Sequence, residues 1–121
     1  MDKQELKDFV LYLKRKYLGK IQDLKLEYNT DNKTPHIYLS LIRIKKPFRS
    51  QGIGSEVMTD LKRFADYHQI EIWLYATNIY GSDLERLYQF YLKHGFTMTN
   101  KKDGRFKYIL KSQQHLLSVS V

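Results

Sequence analysis

Ile37-Tyr-Leu-Ser-Leu-Ile-Arg-Ile44, followed closely by Arg49-Ser-Gln-Gly52-Ile-Gly54-Ser55, decides the fold. The first stretch is apolar at odd and even positions alike, as a strand covered on both faces is. Lys45 to Gly54, with Pro47 and two glycines, then reads as a loop. From Ser55 to Gln69, residues Val57, Met58, Leu61, Phe64, Ala65 and His68 share one helical face. Ile70 to Ala76 is short and rich in strand formers. Strand, glycine loop, helix and strand make one right-handed crossover, which requires the two strands to run parallel.

Working outward, Leu6, Phe9, Val10, Leu13, Tyr17 and Leu18 recur at helical spacing. Asp2 and Glu5 have the spacing of a capping box, and Gly19 supplies the stop. Leu24, Leu26 and Tyr28 alternate with Lys25 and Glu27, which predicts a half-buried strand, and residues 29–35 form a turn cluster. Downstream, Ser82-Asp-Leu-Glu85 predicts a second capping box. It opens a helix with the stripe Leu84, Leu87, Tyr88, Tyr91 and Leu92, stopped at Gly95. Phe96 to Thr99 and Phe106 to Leu110 flank Lys-Asp-Gly-Arg and read as a hairpin. The expectation is an α/β domain with a mixed β-sheet: central parallel strands, antiparallel flanks, and helices packed on it. There is no repeat and no linker.

The chain has 121 residues, enough for one apolar core and too few for two. Lys and Arg number 21 against 13 Asp and Glu, a formal charge of +8. That surplus favours an anionic partner: nucleic acid, a phosphorylated small molecule or an acidic protein face. It also suits solubility alone. The charges are spread, in Lys14-Arg15-Lys16, Lys45-Lys46, Lys62-Arg63 and Lys101-Lys102, so no basic tail is present. Cysteine is absent, which excludes disulfides, thiolate metal sites and cysteine nucleophiles. No apolar run approaches the roughly 20 residues of a membrane span. Met1-Asp-Lys-Gln-Glu5 lacks an apolar signal core, so a soluble cytoplasmic protein without a membrane partner is expected. His36, His68, His94 and His115 lack ligand spacing, and no metal is expected; His68 reads as a core residue.

The glycine loop carries the chemistry. The backbone N–H groups of Gln51, Gly52, Ile53, Gly54 and Ser55 can converge on one concavity at a helix start. There the N–H groups are unpaired and the helix dipole is positive. A phosphate or diphosphate suits that place, and Arg49 can add a charge-assisted bond. A plain strand-to-helix turn would also use such glycines. A Walker loop is excluded by the absence of Gly-Lys-Ser/Thr. The dinucleotide fingerprint is excluded because its third glycine falls on Val57.

Arg49-x-x-Gly52-x-Gly54 at a helix start resembles the acetyl-coenzyme A loop of the GNAT superfamily of N-acetyltransferases, Arg/Gln-x-x-Gly-x-Gly/Ala. Leu74-Tyr75-Ala76 ending a strand, and then Tyr91-Leu-Lys-His-Gly95-Phe96, resemble the family's later elements in order and spacing. The resemblance spans about 21–111, which becomes the core of a single acetyltransferase domain over 1–121, with 112–121 a short tail. Gln-Gly-Ile-Gly-Ser, Leu-Tyr-Ala and Asp-Gly-Arg also resemble small phage-type acetyltransferases that block defence nucleases. The resemblance implies two central strands that splay apart around coenzyme A. It implies backbone groups of Ile42 and Ile44 on the pantetheine arm, amides at 51–55 on the diphosphate, and Arg49 beside the phosphates. Tyr91 matches the tyrosine that protonates the leaving thiolate.

Departures accompany the match. The family's Asn seven residues before that tyrosine is Leu84 here, and Ser82 and Asn78 are out of register. Positions for a carboxylate base hold Tyr38 and Tyr75, while Glu71 reads as a solvated edge charge. The expected activity is direct acetyl transfer from acetyl-CoA to an amine: a protein lysine, an N-terminus or a small amine. No acyl-enzyme is expected, since neither Cys nor a Ser-His pairing is legible. Rival readings are a coenzyme-binding or basic nucleic-acid adaptor, and an anti-defence modifier. Tyr80, Tyr88 and Phe90 suit an acceptor groove or plain packing. Leu116-Leu-Ser-Val-Ser-Val121 alternates like an edge strand that could pair with another chain, so monomer and homodimer both stand.

Overall fold

Helix α1 (Lys3–Lys16) begins where the sequence places it. The Asp2 carboxylate accepts from the Glu5 amide at 2.7 Å, and Glu5 accepts in return from the Asp2 amide at 3.3 Å. In this computed structural model, residues 1–31, 33–77 and 83–110 are described. Leu6 and Leu13 bury against the sheet, with Tyr17 beneath the helix end. The Tyr17 hydroxyl donates to Asp60 at 2.7 Å and Lys16 pairs with the same carboxylate at 2.9 Å, tying α1 to the next helix. Leu18 stands outside the expected stripe, 80% exposed.

Strands β1 (Ile21–Asn29) and β2 (His36–Ile44) pair antiparallel. A short 3-10 turn, Lys46–Phe48, leads into α2 (Ile53–His68). The helix therefore starts two residues before the expected Ser55. Gly52 takes the left-handed cap position at φ +82°, so Ile53 already has helical geometry. Val57, Met58, Leu61 and Ala65 form its buried face. His68 lies at the margin of that face rather than in the core. Its Nε2 approaches Glu5 at 3.7 Å and its ring leans on Phe64.

Strand β3 (Glu71–Tyr75) then pairs parallel with β2, as the crossover requires. Helix α3 (Leu84–Lys93) follows. Its cap is Asp83, whose carboxylate accepts from the Glu85 and Arg86 amides, in place of the expected Ser82 box. A carboxylate is the better partner for a positive helix start. Leu92, placed on the expected stripe, is 44% exposed, and Tyr91 is the buried anchor. Ser82, Asn78, Tyr80, His115 and residues 112–121 lie outside the described residues.

Strands β4 (Thr97–Asn100) and β5 (Arg105–Tyr108) form the expected hairpin. The sheet order is β1-β2-β3-β5-β4, mixed, with β2 and β3 as the parallel pair. Phe106, Ile37, Ile72 and Leu74 at its centre are fully enclosed. Burying side chains of this size contributes about 1.5–3 kcal/mol each.

The sheet's central feature is a parting. The β2–β3 ladder runs from His36↔Glu71 to Leu39↔Leu74 and stops. Beyond it β2 stays with β1, through Ile42↔Leu24 to Ile44↔Ile21. Strand β3 stays with β5, through Tyr75↔Arg105 and the Ala76 amide donating to the Gly104 carbonyl at 2.8 Å. Gly104 permits this approach: an added Cβ would stand 2.5 Å from the Ala76 oxygen, and its φ is +69°. Replacing Gly104 with Ala is expected to destabilise the fold by roughly 2–4 kcal/mol, from left-handed strain plus overlap with fixed backbone. Denaturant unfolding measures it, and an unchanged midpoint would refute the close approach.

Candidate active site

Where β2 and β3 part, a small gap of about 70 Å³ opens. Ser40, Ile42 and Arg43 of β2 line one wall, and Tyr75 and Ala76 of β3 line the other. Leu87 and Tyr91 of α3 close it. The backbone of β2 beyond Leu39 has lost its β3 partner, so it faces the gap with main-chain groups available to a ligand.

Tyr91 reaches this gap from the buried side of α3, 7% exposed, packed edge-on to Phe90 and at a tilt against Phe96 and Phe106. Burial pushes its pKa up to about 12, so the phenol holds its proton throughout the neutral range. A protonated phenol in that position has a proton to donate.

At the N-terminus of α2, no side chain caps the helix. The first intrahelical bond runs from the Glu56 amide to the Gly52 carbonyl at 3.0 Å. The amides of Ile53, Gly54 and Ser55 have no acceptor among the described residues, which leaves three donors at the positive end of a 16-residue helix. The loop before them turns twice through left-handed backbone, at Ser50 (φ +63°) and Gly52 (φ +82°). Ser50 pays no part in the sequence motif, and only the structure reveals its conformation.

The expected site residues divide by role. Gly52, Ile53, Gly54 and Ser55 sit together at the helix start, with the Ile53 side chain in the core. Gln51 is exposed and its side-chain amide donates to the Pro47 carbonyl at 3.2 Å. Arg49 is exposed too; its Nε donates to the Ile44 carbonyl at 2.9 Å, pinning the loop to the end of β2. Ile44 thus has its carbonyl occupied, whereas Ile42 lines the gap.

Helix α3 touches the cradle directly. The Phe90 ring lies where it would meet a Cβ on Gly54 at 3.7 Å. The His94 Nε2 stands 3.1 Å from the Ser55 hydroxyl. A Ser-His pairing therefore exists, against expectation. Residues 39 apart in sequence carry no spacing signal that would have revealed it. Burial, then Lys62 and Lys93, hold the His94 pKa below its usual value, so the ring is neutral at neutral pH. Neither Ser55 nor His94 lines the gap that Tyr91 enters, so the pair braces the cradle to α3 and stands apart from the parting strands.

Carboxylates are absent from the gap among the described residues. Glu71 sits at the opposite end of β3, with the Trp73 indole donating to it at 2.8 Å. His36 is buried, bonded to the Thr34 carbonyl and stacked on Trp73 at 3.6 Å. Tyr38 and Tyr75 meet edge-on at 6.0 Å, and the Tyr38 pKa is raised by burial, then by Tyr75 and Glu27. Tyr88 and Phe90 serve packing, against Phe106 and against the cradle. Among the described residues no cluster of His, Asp and Glu could hold a metal ion, and no helix is long and apolar enough to cross a membrane.

A family model described as an acetyltransferase (GNAT) domain matches residues 1–112, so it takes in α1 as well as the stretch from residue 21. No curated protein matches the chain. Among solved structures, the KacTA–DNA complex is similar over 97% of this chain and 86% of the other, at 21% identity and TM-score 0.56. The AtaT–AtaR complex with DNA is similar over 78% of this chain, at 19% identity and TM-score 0.58; there the chain spans 62% of the other's length. Ard1 from Thermoplasma volcanium is similar over 84% of this chain and 77% of the other, at 18% identity and TM-score 0.51. At these identities the likeness is one of fold.

The raised Tyr91 pKa fixes a stability trend. Its neutral form is favoured in the folded state, so its contribution is complete below the unfolded value near 10 and is lost as pH rises through about 12. Between pH 9 and 12, the unchanged chain is expected to lose roughly 2 kcal/mol more stability than Tyr91→Phe. Parallel unfolding curves across that range would contradict the buried phenol.

Proposed function

The chain belongs to the GNAT acetyltransferase family, and from that premise we propose that it moves the acetyl group of acetyl-CoA directly to an amine. The observation that carries the reading is the pairing of a strand-splay gap closed by a protonated Tyr91 with three uncapped amides at the start of α2. Those amides and the helix dipole suit a diphosphate. The freed edge of β2 around Ile42 suits an extended arm with amide groups of its own. A thioester carrier bearing both would run from the helix start into the gap.

In the proposed reaction the acceptor nitrogen bonds to the thioester carbon and the carbon–sulfur bond breaks. Tyr91 gives its proton to the departing sulfur, and water takes the proton that the nitrogen sheds. Among the described residues no carboxylate or histidine lines the gap to act as base, so in this reading the amine reacts from its neutral form. Ser55 and His94 have no part in bond making, and no acyl-enzyme forms. Acceptors of the right chemistry are a protein lysine, a protein N-terminus or a small amine. The missing base also favours a second reading, a coenzyme-binding adaptor without turnover.

Calorimetry with acetyl-CoA and mass spectrometry of acetylated amines decide between them. Saturable binding with acetylated product supports transfer, binding without product supports the adaptor, and neither overturns both. Tyr91→Phe is expected to lower kcat by roughly 10²–10⁴-fold while leaving acetyl-CoA affinity within about twofold. An unchanged kcat removes the acid role. Rate should climb with pH until the acceptor amine is neutral, with no alkaline fall from Tyr91 below about pH 10.

Gly54→Asp tests the cradle. An added Cβ meets Phe90 at an ordinary contact distance, and an acid in the first turn favours the helix. The folded state should stand while acetyl-CoA binding weakens by about tenfold or more. Full affinity in this variant would move the diphosphate elsewhere.

A further inference from the structure

A second cavity shares no lining residue with the gap. A groove of about 670 Å³ runs between α1 and β1. Strand β1 is an edge strand, with β2 on one side and no described neighbour on the other. The α1 wall is Lys3, Leu6, Lys7, Val10 and Leu11, one face of the helix at steps of three and four residues. The β1 wall is the consecutive run Leu24 to Tyr28. Alternate residues of a strand point to opposite faces, so a groove touching all five follows the strand's backbone edge. Unpaired main-chain donors and acceptors therefore border an apolar trough, and Leu11 is 51% exposed beside it.

The rim has a sign. Lys3, Lys7 and Lys25 stand on it against the single acid Glu27, and none of the three makes an ion pair among the described residues. We infer that this groove receives an extended segment of a partner protein, one in which apolar and acidic residues alternate, added antiparallel or parallel to the free edge of β1. Strand pairing supplies the backbone bonds, the trough takes the apolar side chains, and the lysines select the acids. A second copy of this chain fits less well, because each copy carries a net +8 and would bring its own lysines to the rim. The chain's own residues 111–121 contain no Asp or Glu, so they offer the lysines no acidic side chain. This surface is separate from the acetyl-transfer reading and stands or falls without it.

The test uses the full chain and two synthetic seven-residue peptides, one alternating Glu with Val and the other Lys with Val, followed by fluorescence polarisation. The acidic peptide is expected to bind saturably in the micromolar range and to weaken as salt is raised. Lys7→Glu and Leu11→Glu, both at exposed positions, should each weaken it by about tenfold or more while unfolding at the same temperature as the unchanged chain. N-methylation of alternate peptide amides should abolish binding, which a purely ionic contact would survive. The proposal is overturned if the lysine peptide binds equally well, if neither variant changes affinity, or if no binding saturates at millimolar peptide. It is also overturned if light scattering shows a dimer that Leu11→Glu dissolves, or if binding appears only after removal of 111–121. Those two results would assign the groove to a second copy or to the chain's own end.

Discussion

Strands β2 and β3 share four residue pairs and then hold to different partners. The rest of the molecule is arranged around that divided loyalty. A parallel pair that stayed together would satisfy its own main-chain groups and leave nothing for a ligand. Here β1 draws β2 away while β5 draws β3, and the Ala76–Gly104 bond extends the second attachment past the last β2–β3 pair. The gap is thus a product of competing hydrogen-bond ladders, each strong enough to keep its strand. Each of its walls is a strand held on the far side by its paired neighbour.

Two helices give that gap its chemical character. Helix α2 leaves the end of β2 through a loop pinned by Arg49 to the Ile44 carbonyl, so its uncapped start is held near the strand that loses its partner. Helix α3 closes the gap with Tyr91 and meets the start of α2 through Phe90 and His94. Lys62, about two turns along α2 from Ser55, donates to the His94 carbonyl at 3.0 Å and secures the same junction. Tyr91 and the uncapped start of α2 are therefore parts of one packed unit. A neutral His94 suits this role, because a third positive charge beside Lys62 and Lys93 would be repelled by both.

The element order, the parallel pairing, the hairpin and the first cap were legible because each rests on local spacing: apolar periodicity, a crossover of adequate length, and Asp2 three residues before Glu5. The start of α2 was misjudged by two residues. Gly54 reads as a turn former, while the structure uses it as a helical residue and gives the left-handed turn to Gly52 and Ser50. The second cap fell one residue away because Ser82 and Asp83 are adjacent good caps, and spacing alone ranks the one with Glu three residues on. The gap, the Ser55–His94 contact and the edge groove were invisible. They arise from residues far apart in the chain, brought together only by sheet order.

Among the described residues no carboxylate or histidine lines the gap, and of the aromatic pair at the strand parting Tyr75 lines it while Tyr38 does not. Tyr38 and Tyr75 hold the positions that would suit a carboxylate base, and burial, then the Tyr75 phenol and Glu27, raises the Tyr38 pKa. A phenol so placed keeps its proton at neutral pH and can donate or orient a water, but cannot take a proton. Arg105 lies over the Tyr75 ring at 5.3 Å and pairs with Asp103 at 3.6 Å, so the guanidinium is set over the ring by the β3–β5 pairing and balanced by a neighbouring carboxylate.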